Sequence, residues 1–104
     1  MSGKMYRQGD VLIVRVDELP ENAVQAQPAL RGVVLAEGEA TGHAHTMSAE
    51  TVTKYQALER DWIVVKEPTP LTHEEHNVIN IAPGTYWVLR QRVYTPERNR
   101  YVLD

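Results

Sequence analysis

Cysteine and phenylalanine are both absent from this 104-residue chain. Without cysteine there can be no disulfide framework, no thiolate metal site and no thiol nucleophile. Any metal must therefore sit in a shell of nitrogen and oxygen. Serine is scarce: Ser2 and Ser48 stand alone, and neither lies in the Gly-x-Ser-x-Gly context of a nucleophile elbow. No glycine-rich phosphate loop is present. No apolar run approaches the roughly 18 residues of a membrane span, and the stretch from Met1 to Asp10 lacks the apolar centre of a secretory signal, so the expected location is the cytoplasm. A net charge of -3 gives no global attraction to nucleic acid or to an anionic membrane, which leaves only local patches for either.

What is present suits one compact domain over residues 1–104, with 42% hydrophobic residues to fill a single core. Short apolar segments rich in β-branched residues alternate with turn chemistry. Gly9-Asp10 introduces a strand over Val11–Val16, and Leu19-Pro20-Glu21-Asn22 closes it. Residues 21–31 show no convincing period and read as a mobile loop. Val33–Leu35, Thr51–Tyr55 and Trp62–Val65 read as further strands, the last beginning after a charged Glu59-Arg60-Asp61 turn. Pro68-Thr69-Pro70 reads as a break. A final hairpin is expected from Val78–Ile81, a Pro83-Gly84 turn and Thr85–Tyr94. With no long amphipathic helix, the expected fold is all-β: a small single-domain barrel or jelly roll, or a sandwich.

All four histidines fall into two tight pairs, His43-Ala44-His45 and His73-Glu74-Glu75-His76. Imidazole is the commonest protein ligand for transition metals, and a site needs several ring nitrogens converging on one point. Alternate residues on a strand share a face, which would set His43 beside His45. Residues three apart on a strand do not. Thr72-x-x-Glu75 matches a capping box, which would start one helical turn and align His73 with His76. The two pairs are then expected to converge, with ring nitrogens roughly 3 to 4 Å apart, on a divalent transition metal, zinc first and iron, manganese or nickel as alternatives. Glu50 could complete the shell. Glu74 or Glu75 could act as general base on a bound water or fix a histidine tautomer. Four imidazoles would close a structural zinc site and three would leave a catalytic position open; the sequence does not choose. The competing reading has the first pair hydrogen-bonded to a turn, the second on a solvated loop, and the glutamates on the surface.

Gly38, His43-Ala44-His45 and Glu50 resemble the first metal-binding motif of the cupins, in which a glycine, His-x-His and a glutamate bind iron, manganese, zinc or nickel inside a double-stranded β-helix. The glycine interval here is one residue short. Pro83-Gly84 is similar to the turn of the second cupin motif, but Tyr86 and Trp87 follow where a histidine belongs, so the resemblance implies a fourth ligand from His73 or His76. The wider pattern of Gly-Asp-Val-Leu, Glu-Gly-Glu-x-Thr-Gly-His-Ala-His, Leu-Thr-His-Glu-Glu-His and Pro-Gly-x-Tyr is similar to a group of small uncharacterised bacterial and phage proteins. Gly9–Val16 with Gly32-Val-Val-Leu and Glu37-Gly38 also resembles part of the co-chaperonin ten-strand barrel. Histidine-triad hydrolases need three alternating histidines, and Met47 stands in the third place. A two-histidine phosphoesterase needs a second His-x-Ser/Thr motif, which is missing.

A basic, aromatic segment supplies the alternative function. Strand alternation puts Tyr86, Val88, Arg90, Arg92 and Tyr94 on one face, with Trp87, Leu89, Gln91 and Val93 expected to face the core. An exposed Arg/Tyr face can hold single-stranded nucleic acid by phosphate pairing and base stacking, or form an interface in a homo-oligomer. On that reading the domain is a metal-free binding or assembly module.

Overall fold

Twelve strands make up the regular structure of the computed structural model, which describes residues 4–37 and 42–90 in full and 93–95 and 100–102 by backbone alone. They are β1 (Met5–Gln8), β2 (Val11–Val16), β3 (Val24–Gln25), β4 (Val33–Glu37), β5 (Ala44–Met47), β6 (Val52–Ala57), β7 (Arg60–Val65), β8 (Thr69–His73), β9 (His76–Ile81), β10 (Gly84–Arg90), β11 (Val93–Thr95) and β12 (Arg100–Val102). There is no helix among the described residues, so none is long and apolar enough to cross a membrane. Every pairing is antiparallel. A six-stranded sheet runs β1-β2-β10-β7-β6-β3, a four-stranded sheet runs β4-β5-β8-β9, and β11 pairs with β12.

The two larger sheets share one core and do not close into a barrel. Val11, Ile13, Ile63, Val65, Tyr86 and Val88 come from the six-stranded sheet, and Val33, Leu35, Met47, Leu71 and Ile81 from the four-stranded one. Fully burying each such aliphatic side chain is worth about 1.5–3 kcal/mol, so these period-two stripes drive the sheets together. Tyr86 is the largest fully buried side chain. Its ring meets Tyr6 edge-on at 5.9 Å, and its hydroxyl donates to the Ala82 carbonyl at 2.6 Å.

Four local expectations are corrected. The turn before β7 is Leu58-Glu59, both with positive φ (55° and 60°), so Arg60 and Asp61 already belong to the strand; a two-residue hairpin with both central residues left-handed matches strand twist. Pro68-Thr69-Pro70 does not break the chain, since β8 begins at Thr69 and carries the exposed Pro70 opposite Asn80. Val78–Ile81 and Thr85 onward are not a hairpin: β9 stays with β8, and the chain crosses at Pro83-Gly84 so that β10 inserts between β2 and β7. As a result the faces of β10 are reversed from expectation. Tyr86 and Val88 point into the core, while Trp87 and Leu89 are only half-buried on the outer face, where Trp87 stacks on Trp62 at 6.3 Å. The loop over 21–31 is helix-free, as expected, apart from the two-residue β3 on β6.

Candidate metal centre

Three strand junctions meet at one end of the sandwich: the Gly9-Asp10 turn between β1 and β2, the entry to β5, and the β8–β9 hairpin tip. Arg90 joins them, because its register opposite Val11 sets the end of β10 beside the first turn. His45 is the second residue of β5, points inward and is 2% exposed. His43 precedes the strand and is half-buried. His73 and His76 close the β8–β9 hairpin as direct cross-strand partners.

The expected helical turn at Thr72–Glu75 is therefore absent, yet its consequence survives. In a tight hairpin, residues three apart become cross-strand neighbours, and the rings of His73 and His76 lie 4.6 Å apart between centroids. Thr72 caps nothing; its hydroxyl lies 3.0 Å from that of Thr46, where β8 meets β5. Nearly thirty residues apart in sequence, the two histidine pairs converge. His73 lies 4.3 Å from His45 and 5.7 Å from His43, and His45 stacks on His76 at 5.7 Å.

The convergence forms two overlapping triads around a shared His73. One ligand atom from each of His45, His73 and His76 falls within 4.8 Å of the others, and the same holds for His43, His73 and Glu74. The four imidazoles do not form a single group at that distance.

Gln8 fixes the chemistry of His45. Its amide nitrogen donates to the carbonyls of Leu71 (2.8 Å) and Asn77 (2.9 Å), so the amide oxygen is the end that faces His45 Nδ1, at 2.8 Å. An amide oxygen only accepts, so Nδ1 carries the ring proton and Nε2 keeps its lone pair. Burial, then the neighbouring His73, pushes the His45 pKa down from 6.5 to about 4, with Asp10 opposing. His45 is thus a neutral donor with its lone pair directed away from Gln8.

His73 is set differently. Its Nδ1 accepts the Glu75 backbone N–H at 3.0 Å, so its own proton sits on Nε2. Ligation through Nδ1 would displace that N–H, and ligation through Nε2 would move the ring proton onto Nδ1. Either route breaks the bond, a net change of about 1 kcal/mol.

Around the rings stand charged groups. Asp10 Oδ2 accepts from Arg90 Nη2 at 3.0 Å and Nε at 3.2 Å, while Oδ1 lies 3.7 Å from His45 Nε2. Gly9, at φ 60°, lies so close to His76 that a Cβ there would meet Nε2 at 2.6 Å. Glu74 Oε1 accepts the Ala44 N–H at 2.9 Å and Oε2 accepts from Arg31 Nη2 at 2.9 Å, tying the hairpin tip to the start of β5. The Ala44 N–H is the leading cause of a lowered Glu74 pKa. Glu75 is exposed, with Oε2 3.8 Å from His43 Nδ1.

Glu50 is not brought to the cluster. It is exposed in the turn after β5, at the opposite end of that strand from His45, with its N–H bonded to Ser48 Oγ. The cupin-like third ligand therefore has no counterpart in the geometry. Nor does the Arg/Tyr face assemble as expected, since Tyr86 is in the core and Arg90 is engaged with Asp10. Arg92 lies outside the described residues, and so does the side chain of Tyr94.

Gln8, Gly9, Asp10 and Arg31 contribute to the site without having been singled out from the sequence. Gly9-Asp10 read only as a turn. Gln8 reaches its partners across 37 to 69 residues of chain, a separation at which local pattern carries no signal.

A family described as a domain of unknown function, DUF8820, matches residues 7–91. The chain belongs to this family. The matched segment contains all four histidines together with Gln8, Gly9, Asp10 and Arg90. No curated protein and no solved structure matches the chain.

Proposed function

We propose that this domain binds one divalent transition-metal ion through His45, His73 and His76, zinc foremost among candidates that include iron, manganese and nickel. The observation that carries the reading is the Gln8–His45 bond, because it leaves a buried, neutral imidazole presenting its lone pair beside two further imidazoles. Metal-bound histidines characteristically have the second ring nitrogen fixed in this way by an acceptor. The donor set is all nitrogen and oxygen, which suits these ions and excludes a thiolate site. Three imidazoles leave a fourth position for water or another group, and the reading stops at binding.

The test is untagged protein, stripped of metal and titrated with zinc by calorimetry and elemental analysis. One equivalent should bind, and His45→Ala or His76→Ala should abolish uptake. Excess chelator should lower the melting temperature of the loaded protein. At a free zinc concentration 100 times Kd the stabilisation is about 2.7 kcal/mol, on the order of 10 °C for a domain this small. Absence of uptake at micromolar zinc, with no thermal shift, removes the proposal. The metal-free alternative, a nucleic-acid or protein-binding module on the Arg/Tyr face, has no specific observation in its favour.

A further inference from the structure

We propose that His43, His73 and Glu74 form a capture position for the same ion, a shallow site that takes a divalent cation from solvent and passes it to His45, His73 and His76. The inference rests on the metal reading above. Its starting point is that the two triads share His73. A neutral imidazole offers one lone pair at a time, because its other ring nitrogen carries the proton. Filling both triads at once would need that proton removed as well, so a single ion occupies one position or the other. The two positions differ in depth and in charge. His45 is buried, whereas His43 is half-buried and Glu74 stands exposed at the hairpin tip. An ion arriving from solvent therefore meets the outer triad first. That triad also holds the carboxylate. The Ala44 N–H keeps the Glu74 carboxyl below its usual range and so ionised, and Glu75 Oε2 adds a second negative charge 3.8 Å from His43 Nδ1. Negative charge at the mouth of a site raises the encounter rate of a cation.

The backbone on both sides of His43 fixes Glu74 beside it. Oε1 accepts the Ala44 N–H at 2.9 Å, while Arg31 Nη2 donates to Oε2 at 2.9 Å and to the Gly42 carbonyl at 2.8 Å. An ionised carboxylate has about four acceptor sites, so these bonds leave room for a cation. Carboxylates that bind metals are themselves hydrogen-bonded in this way. The Arg31 pair is exposed and contributes little on its own, so it yields to an incoming ion. The inner triad is the resting position. Imidazole suits zinc, iron and nickel, and there the ion finds three of them, with His45 held as a donor by Gln8. Transfer is a ligand exchange at one ion: His43 and Glu74 let go as His45 and His76 take hold, with His73 serving both positions.

The experiment is stopped-flow uptake of cobalt(II) by metal-free protein, followed by its visible absorption, and release of the bound ion into excess chelator, on the wild type, His43→Ala and Glu74→Gln. Both variants should take up and release the ion about tenfold more slowly, within the range that local charge contributes to association. Their equilibrium affinity should stay at the wild-type value, because a position the ion only passes through changes both rates by the same factor. Wild-type rates in either variant overturn the proposal. A loss of affinity overturns it too, since that would put these residues in the final shell or in the fold. In the His45→Ala/His76→Ala double variant, which keeps only the outer position, zinc in the millimolar range should shift the Ala44 and Glu75 amides together, and no shift there also overturns the proposal. If Glu74→Gln or the double variant does not fold, the His43→Ala rates decide. Failure of the wild type to take up cobalt or zinc would sink the metal reading itself, a different result from a wild type that binds at rates its variants share.

Discussion

Gln8 and His45 form a buried side-chain pair, amide oxygen to Nδ1 at 2.8 Å, that joins the first strand of one sheet to the first histidine pair on the other. The same amide also bonds two carbonyls of the β8–β9 hairpin, at Leu71 and Asn77, so a single side chain registers all three segments of the cluster. Gln8→Ala would leave the His45 N–H and two carbonyls short of a partner, at about 1–3 kcal/mol for each buried group left unsatisfied. Urea unfolding of the metal-free variant should show a loss of at least 2 kcal/mol on that scale. Zinc affinity should fall about 10- to 100-fold because the His45 tautomer is no longer fixed. A variant as stable and as tight-binding as the wild type would show that Gln8 positions nothing.

Much of this arrangement was legible in the sequence, and the reason differs from element to element. Val11–Val16 and Trp62–Val65 announce themselves as short apolar runs rich in β-branched residues set off by polar turn residues. His73 and His76 meet across a hairpin and not along a helical turn: both bring residues three apart into contact, and a capping-box pattern does not tell them apart. The structure turns Tyr86 to the face opposite the one expected, because β10 is apolar on both sides, with Trp87 and Leu89 as hydrophobic as Tyr86 and Val88. Alternation then gives the period without its sign. Asp10 and Gln8 were out of reach, since what they do depends on which sheet each strand joins.

His45 makes the stability of the metal-free protein sensitive to mild acid. Its folded pKa is depressed from 6.5 to about 4 by burial and by His73, so the unfolded chain takes up the proton first. The stabilising contribution is complete above pH 6.5 and is lost as pH falls through the window down to about 4. The shift corresponds to roughly 3 kcal/mol. Denaturation of the metal-free protein across this window should show the decline, and His45→Gln should flatten it. A wild-type profile already flat between these limits would contradict the buried neutral imidazole.

Gly9 is required twice over, by its left-handed φ and by the ring behind it. Gly9→Ala would incur about 1–2 kcal/mol of backbone strain and, in addition, a contact of 2.6 Å from the new Cβ to His76 Nε2. The two effects separate in a double-mutant cycle with His76→Ala, which relieves the clash and leaves the strain. We expect Gly9→Ala to destabilise the wild type by more than it destabilises the His76→Ala background. Equal effects in the two backgrounds would mean that the ring does not rest on the turn.

Glu75 offers a reporter of ligation that needs no mutation. Its backbone N–H is held by His73 Nδ1 at 3.0 Å, and an ion taken by either nitrogen of that ring breaks the bond. In a zinc titration followed by proton–nitrogen correlation spectra, the Glu75 amide, on an exposed hairpin tip, should move upfield in proton shift and exchange faster with solvent. The amide of Ala44, bonded to Glu74 Oε1 at 2.9 Å, should stay put if the ion sits among His45, His73 and His76, and should move with Glu75 if it sits among His43, His73 and Glu74. The pair of amides thus reads which triad is filled. Zinc binding that leaves the Glu75 amide undisturbed would remove His73 from the shell.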